Sequence, residues 1–205
     1  MSKHKNYNLV LEYANSVVEG EKVANRETIQ MCQRFLNDLD NPAYDFNPKD
    51  AEFVIGIIEK TFVHQKGEDM KGRPLRGTPF LLQPWQKFVV YNLLGFFHKG
   101  TILRRFKEAF IMLARKNGKT PFMSALAWGL GLLERKSGAE IVIVGEKLKQ
   151  ALQGFNFCIT ICDIWAKKTI SASWIITKSI VSAAILRTVT YGLRRLREIV
   201  TAWTL

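Results

Sequence analysis

The run Phe110-Ile-Met-Leu-Ala-Arg-Lys-Asn-Gly-Lys-Thr120 constrains the fold more than any other part of this chain. Its first half is apolar with strand character, its second half is a basic turn holding Gly118, and Pro121 to Leu133 continues as an apolar run of helical type. Strand, Gly-Lys-Thr, helix is the order of a phosphate-binding loop. In such a loop the backbone N–H groups and the positive end of the helix dipole face the phosphates. Lys119 would reach the β- and γ-phosphates, and Thr120 would offer its hydroxyl to Mg²⁺. The full pattern has an earlier glycine, at the position held here by Leu113. Spacing alone therefore leaves two readings, a phosphate loop or a basic turn between a strand and a helix.

The rest of the chain supplies a setting for that loop. Residues 1–40 predict helices. Asn25 is placed to cap the second of them, and Thr28, Ile29, Cys32, Phe35, Leu36 and Leu39 recur on one face. Asp40 to Pro48 is a turn-rich break. A third helix is expected from Lys49 to His64, with Phe53, Ile57, Ile58 and Phe62 turned inward, followed by a basic loop from Gln65 to Thr78. Gln83-Pro84 opens a helix expected to run through Phe97, with Trp85, Phe88, Val89, Asn92 and Phe96 as its stripe. From Ala109 the pattern becomes regular: strand Ala109–Leu113, helix Lys119–Arg135, strand Ile141–Gly145, helix Lys147–Trp165. That spacing implies a parallel strand pair with a right-handed crossover, and ligands in such sheets sit at the carboxyl ends of the strands.

Several of these segments together resemble the phage terminase large subunit, the ATPase that packages viral DNA into procapsids. Arg115-Lys-Asn-Gly-Lys-Thr120 after an apolar strand is similar to the family's deviant Walker A loop, which also lacks the first glycine and has a basic residue early. Leu82-Gln-Pro-Trp-Gln86 resembles the family's upstream motif for adenine recognition. Phe96, Gly100 and Arg105-Phe-Lys-Glu-Ala-Phe110 match its lead-in, Gly138 to Val144 its second strand, and Gln150-Ala151 the opening of its next helix. The similarity covers residues 50 to 165. It implies an α/β fold: a partial P-loop NTPase core, a parallel sheet with flanking helices, preceded by an N-terminal helical extension. The expected division is residues 1–80 as helical extension and basic loop, 81–165 as partial ATPase core, and 166–205 as a basic tail.

The resemblance also implies residue roles. ATP would lie against Lys116, Asn117, Gly118, Lys119 and Thr120, with Gln86, or else Gln83, at the base. Thr120 would hold Mg²⁺, Lys119 would neutralise phosphate charge, and Arg115 would contact the γ-phosphate or couple the loop to motion. Double-stranded viral DNA, the portal protein, the small terminase subunit and a homo-oligomeric ring are the implied partners, in the cytoplasm of a bacterial host.

Two features depart from that pattern. The family closes its site with an adjacent Asp-Glu pair after an apolar strand, to hold Mg²⁺ and orient water. No Asp-Glu dipeptide follows Thr120 here, and Asp163 is the one Asp after it. Residues 157–164 read as a strand ending in Asp163 or as part of a helix. Past Trp165 the composition changes: residues 166–205 contain no Asp, Asn, Gln, Pro or Phe, and carry seven Lys and Arg against one acid. An out-of-frame or naturally shortened tail is the expectation, without the family's nuclease domain, and ATP turnover is expected to be weak or absent.

Composition narrows the alternatives. The formal charge of +12 points to a polyanionic partner or surface, so a non-catalytic basic DNA-binding or interaction module remains the competing class. Arg187 to Val200 would suit DNA or a membrane surface as a basic helix, and Gly72–Gly77 with Arg104-Arg105 would suit phosphates, unless these charges are merely solvated. A phosphotransferase on the same loop would need an acceptor site and catalytic acids that the sequence does not display. Cys32, Cys158 and Cys162, with no leader-like amino terminus, suggest reduced thiols, and His4, His64 and His98 fall at no metal-ligand spacing. The longest apolar runs fall short of a membrane span.

Overall fold

The computed structural model of the chain describes residues 5–69, 71–115, 117–133, 141–145 and 148–169. Two compact units divide between Arg135 and Lys136. The first contains α1 (Lys5–Val18), α2 (Arg26–Leu39), β1 (Tyr44–Phe46), α3 (Lys49–Thr61), α4 (Pro84–Gly95), β2 (Phe96–His98) and α5 (Lys119–Leu133). The second holds the segment 141–145 and α6 (Leu148–Thr169).

Local chemistry sets the helix starts. Asn25 caps α2 as its sequence position predicts, accepting the Thr28 N–H at 3.0 Å. Its inward face carries Cys32 and Phe35, both fully buried. Burial pushes the Cys32 thiol up to about 11, so it is an unreactive apolar thiol. No group of three or more His, Cys, Asp or Glu side chains able to hold a metal occurs among the described residues.

The core is aromatic. The ring of Phe35 meets those of Phe46, Phe88 and Phe96, with centroids 6.2, 5.3 and 5.5 Å away. Burying each such side chain contributes about 1.5–3 kcal/mol. Gly95 lets Phe46 in: a Cβ there would lie 2.7 Å from the Phe46 ring. A polar network crosses the same interior. Tyr91 donates its hydroxyl to Glu52 (2.5 Å), Asn6 donates to the other Glu52 oxygen (2.6 Å), and Lys87 donates to Asn6 (2.7 Å) while pairing with Glu59 (2.9 Å). It ties α1, α3 and α4 together and satisfies groups that would be costly to bury alone. Burial, then the Glu52 bond, raises the Tyr91 hydroxyl above its ordinary pKa.

Packing revises several sequence expectations. α3 ends at Thr61, and its buried face is Ala51, Val54, Ile55 and Ile58; Phe53 is 40% exposed and Ile57 only half-buried. The face is chosen by α5, which lies on α3 so closely that a Cβ on Gly129 would sit 2.7 Å from Val54 Cγ1. α4 is buried on nearly every side and stops at Gly95, so Phe96 belongs to β2. β2 pairs antiparallel with β1, in the stretch expected to be only a turn, with Phe46 opposite Phe96.

The segments 109–113 and 141–145, expected as strands, have no regular secondary structure and no ladder partners, and no parallel pair occurs among the described residues. A parallel strand needs neighbours on its edges and cover on both faces. Here Phe110 and Met112 are 88% and 81% exposed. The mixture of helices with a small sheet is compatible with the α/β class.

Between α3 and α4 the chain forms an antiparallel arm, Phe62 to Phe80. Its bridges join Val63 to Pro79 and Glu68 to Pro74. Phe80 donates its N–H to Phe62 O, His64 to Thr78 O, Leu75 to Gly67 O and Asp69 to Arg73 O. Ring contacts of Phe80 with Phe62 and His64 fasten the base.

Candidate nucleotide site

The amino end of α5 is built by the Gly-Lys-Thr sequence itself. Gly118 has φ +70, a left-handed conformation that favours glycine, and a Cβ there would meet nothing within 4 Å. The turn closes with Asn117 donating its N–H to Ala114 O at 3.4 Å, and Phe122 donating to Gly118 O at 3.0 Å. Pro121 has no N–H, so the backbone donors at the head of the helix are those of Lys119 and Thr120. Lys119, Thr120, Asn117 and Arg115 are exposed. Two backbone donors, an ammonium, a hydroxyl and open space above a glycine make an anion cradle of the kind a polyphosphate fits. Lys116 lies outside the described residues.

The second group of expected residues stands at the head of α4. Pro84 occupies the first turn, and Gln83 and Gln86 cap the helix reciprocally: Gln83 donates its N–H to Gln86 Oε1 at 2.8 Å, and the Gln83 side chain accepts the Gln86 N–H. This is a capping box with glutamine at both positions. Gln86 is 4% exposed and its carbonyl oxygen is engaged, which leaves the NH₂ end as the group with which it would meet a base. Gln83 is exposed. The sequence carried the signal for this cap in the N-cap to N3 spacing with proline between.

Trp85 and Phe122 bring the two groups together. Their ring centroids lie 5.5 Å apart at 65°. Trp85 precedes Gln86 and Phe122 follows Thr120 by one turn of chain at most, so the heads of α4 and α5 are neighbours. Nothing in the sequence pattern links these two rings, which are far apart in the chain.

The segment entering the loop is anchored at its start. Arg105 pairs with Asp38, both largely buried, and its guanidinium lies 4.0 Å from the Tyr44 ring centroid and 4.8 Å from that of Phe106. The expectation of a phosphate contact or a solvated charge at Arg105 is corrected by this geometry, because the guanidinium is enclosed and paired. Arg104 is 3.8 Å from Asp50. Beyond this anchor, Phe106 and residues 108–113 border a cavity of about 510 Å³ whose walls include Met31, Trp85, Phe88 and Leu93. Neither glutamine nor any residue from Arg115 to Thr120 lines it, so the cavity and the anion cradle are separate places.

Residues 157–164 lie within α6, which favours the helical reading of that stretch. Residues 170–205, including the basic run Arg187 to Val200, lie outside the described residues. No helix among the described residues is long and apolar enough to cross a membrane. A family model described as terminase large subunit, ATPase domain, matches residues 84–189, just over half of the chain. That span takes in α4, the loop, α5 and α6, and extends past Trp165, where the sequence comparison of motifs stops. No curated protein and no solved structure matches the chain.

Proposed function

This chain belongs to the terminase large-subunit ATPase-domain family, and on that premise we propose that it binds Mg-ATP at the paired heads of α4 and α5. The family supports an ATPase role in general. The observation that supports the specific proposal is the Trp85–Phe122 ring contact, made by the residue next to Gln86 and by the residue two after Thr120. The triphosphate would be received by the N–H groups of Lys119 and Thr120, with Asn117 and Lys116 flanking. Lys119 would place its charge on the β- and γ-oxygens, a stabilisation that grows as water is excluded. Thr120 is the protein hydroxyl that would hold Mg²⁺, whose other ligands would be phosphate oxygens and water; the ion would neutralise phosphate charge. Arg115 would approach the γ-phosphate, and Gln86, or Gln83, the adenine edge.

Hydrolysis would drive movement of double-stranded viral DNA into a procapsid, with a ring of copies, the portal protein and the small terminase subunit as partners in the host cytoplasm. Since no Asp-Glu pair follows Thr120, the proposal is nucleotide binding with little turnover by this chain.

Calorimetric titration of the purified chain with Mg-ATP, beside Lys119→Ala, is the test. Wild-type binding that disappears in the variant is expected. Equal binding by both, or none by the wild type, overturns the proposal.

A further inference from the structure

We propose that the Phe62–Phe80 arm is a nucleic-acid contact that grips the phosphates of a duplex through Lys66, Lys71 and Arg76. The bridges Val63/Pro79 near the base and Glu68/Pro74 towards the tip hold the two sides of the arm antiparallel; between them the ladder is interrupted by a turn, with Thr78 donating its N–H to Leu75 O and Gly77 donating to His64 O, and Lys66 and Arg76 lie in that interrupted stretch. Among the described residues Lys66, Lys71 and Arg76 have no ion-pair partner, and all three are exposed.

The tip is stiffened by a residue that the cations do not use. Asp69 accepts the N–H groups of Lys71 (2.8 Å) and Arg73 (2.9 Å) and the Arg73 Nε (2.7 Å). These bonds, with the Arg73 backbone N–H foremost, hold its carboxyl below the usual range. The Asp69–Arg73 pair cancels internally, leaving Lys66, Lys71 and Arg76 against the single exposed anion Glu68. A fixed two-stranded ribbon with surplus cations has the shape that enters a major groove, about 12 Å wide, and the chemistry that displaces counterions from phosphates. The cations read charge and spacing, so binding is independent of base sequence.

This inference rests on the reading of the chain as one that handles DNA and is independent of the nucleotide site. Its test is duplex binding by the purified chain, followed by fluorescence anisotropy across a salt series without nucleotide. The wild type is compared with the triple variant Lys66→Ala/Lys71→Ala/Arg76→Ala and with a charge-matched variant, Lys22→Ala/Lys49→Ala/Lys107→Ala. The arm variant is expected to bind at least roughly tenfold more weakly at low salt, alike for unrelated sequences, with the log–log salt slope reduced by about 0.9 for each lost contact. An unchanged slope in the arm variant, an equal loss in the charge-matched variant, or no duplex binding by the wild type overturns it. Calorimetry with Mg-ATP on the arm variant separates the two proposals: intact nucleotide binding beside lost duplex binding locates the defect in the arm. Unchanged thermal unfolding excludes misfolding, since all three side chains are exposed.

Discussion

The aromatic core around Phe35 and the apolar run Phe110 to Leu113 are similar in composition and opposite in fate. Phe35 is fully buried and touches three rings supplied by β1, α4 and β2. Phe110, no less hydrophobic, is 88% exposed, and its neighbours border a cavity. The difference lies in what approaches from the rest of the chain. The first region is closed by helix faces and by an antiparallel strand pair whose register is fixed, and Gly95 admits Phe46. The second is an extended segment held at Arg105 and at the α5 turn, with no strand beside it among the described residues. Close by, Asn92 gives its NH₂ to Phe88 O, yet its buried Oδ1 has no partner, another sign that this side of α4 is less completely satisfied than the other. Apolar sequence supplies the driving force for burial, but the neighbour decides whether it is realised.

The largest test of this contrast is a pair of truncations. Phe35→Ala should lower stability to urea by about 3–5 kcal/mol, as removal of a buried phenylalanine does, whereas Phe110→Ala should change it by less than about 0.5 kcal/mol. Equal losses would show that the two regions are packed alike. The contrast is sharpened by Asp38→Asn, which removes the charge that Arg105 faces. Leaving that enclosed guanidinium unpaired should cost about 3 kcal/mol. Hydrogen exchange should then rise along residues 106–113 while the amides of α2 beyond the mutated turn keep their protection; a uniform rise would mean that the anchor belongs to the core as a whole.

A smaller effect separates the arm from both regions. Burial beside Phe80 lowers the His64 pKa below its ordinary 6.5. The folded arm therefore favours neutral imidazole. That contribution is complete above the unfolded value and is lost as pH falls through the lower folded value. Thermal unfolding followed from about pH 7 to pH 5 should show a slight loss of stability that is absent in His64→Gln. A dependence that survives in the variant would assign the proton to another group.

Much of the candidate site was legible in the chain, because its signals are local. The Asn25 cap, the start of α5 at Lys119, the left-handed turn at Gly118 and the opening of α4 at Pro84 each depend on residues within one helical turn. The family too was readable from motifs in order, and the match over residues 84–189 supports it. Other expectations failed where local pattern had to yield to neighbours. Phe53 looked inward by hydrophobicity, but α5 chose Val54. Phe96 looked helical, but pairing with the distant β1 claimed it for a strand. Arg105 looked like a surface cation until Asp38, Tyr44 and Phe106 enclosed it.

The sequence by itself determined where α2, α4 and α5 begin and which family the chain resembles, since caps, proline and glycine act over one turn of backbone. Tertiary structure alone decided which helix faces are buried, that the rings of Trp85 and Phe122 meet, and that Asp38 and Tyr44 enclose Arg105. Those outcomes depend on contacts between residues distant in the chain, whose energies arise only when both partners are in place.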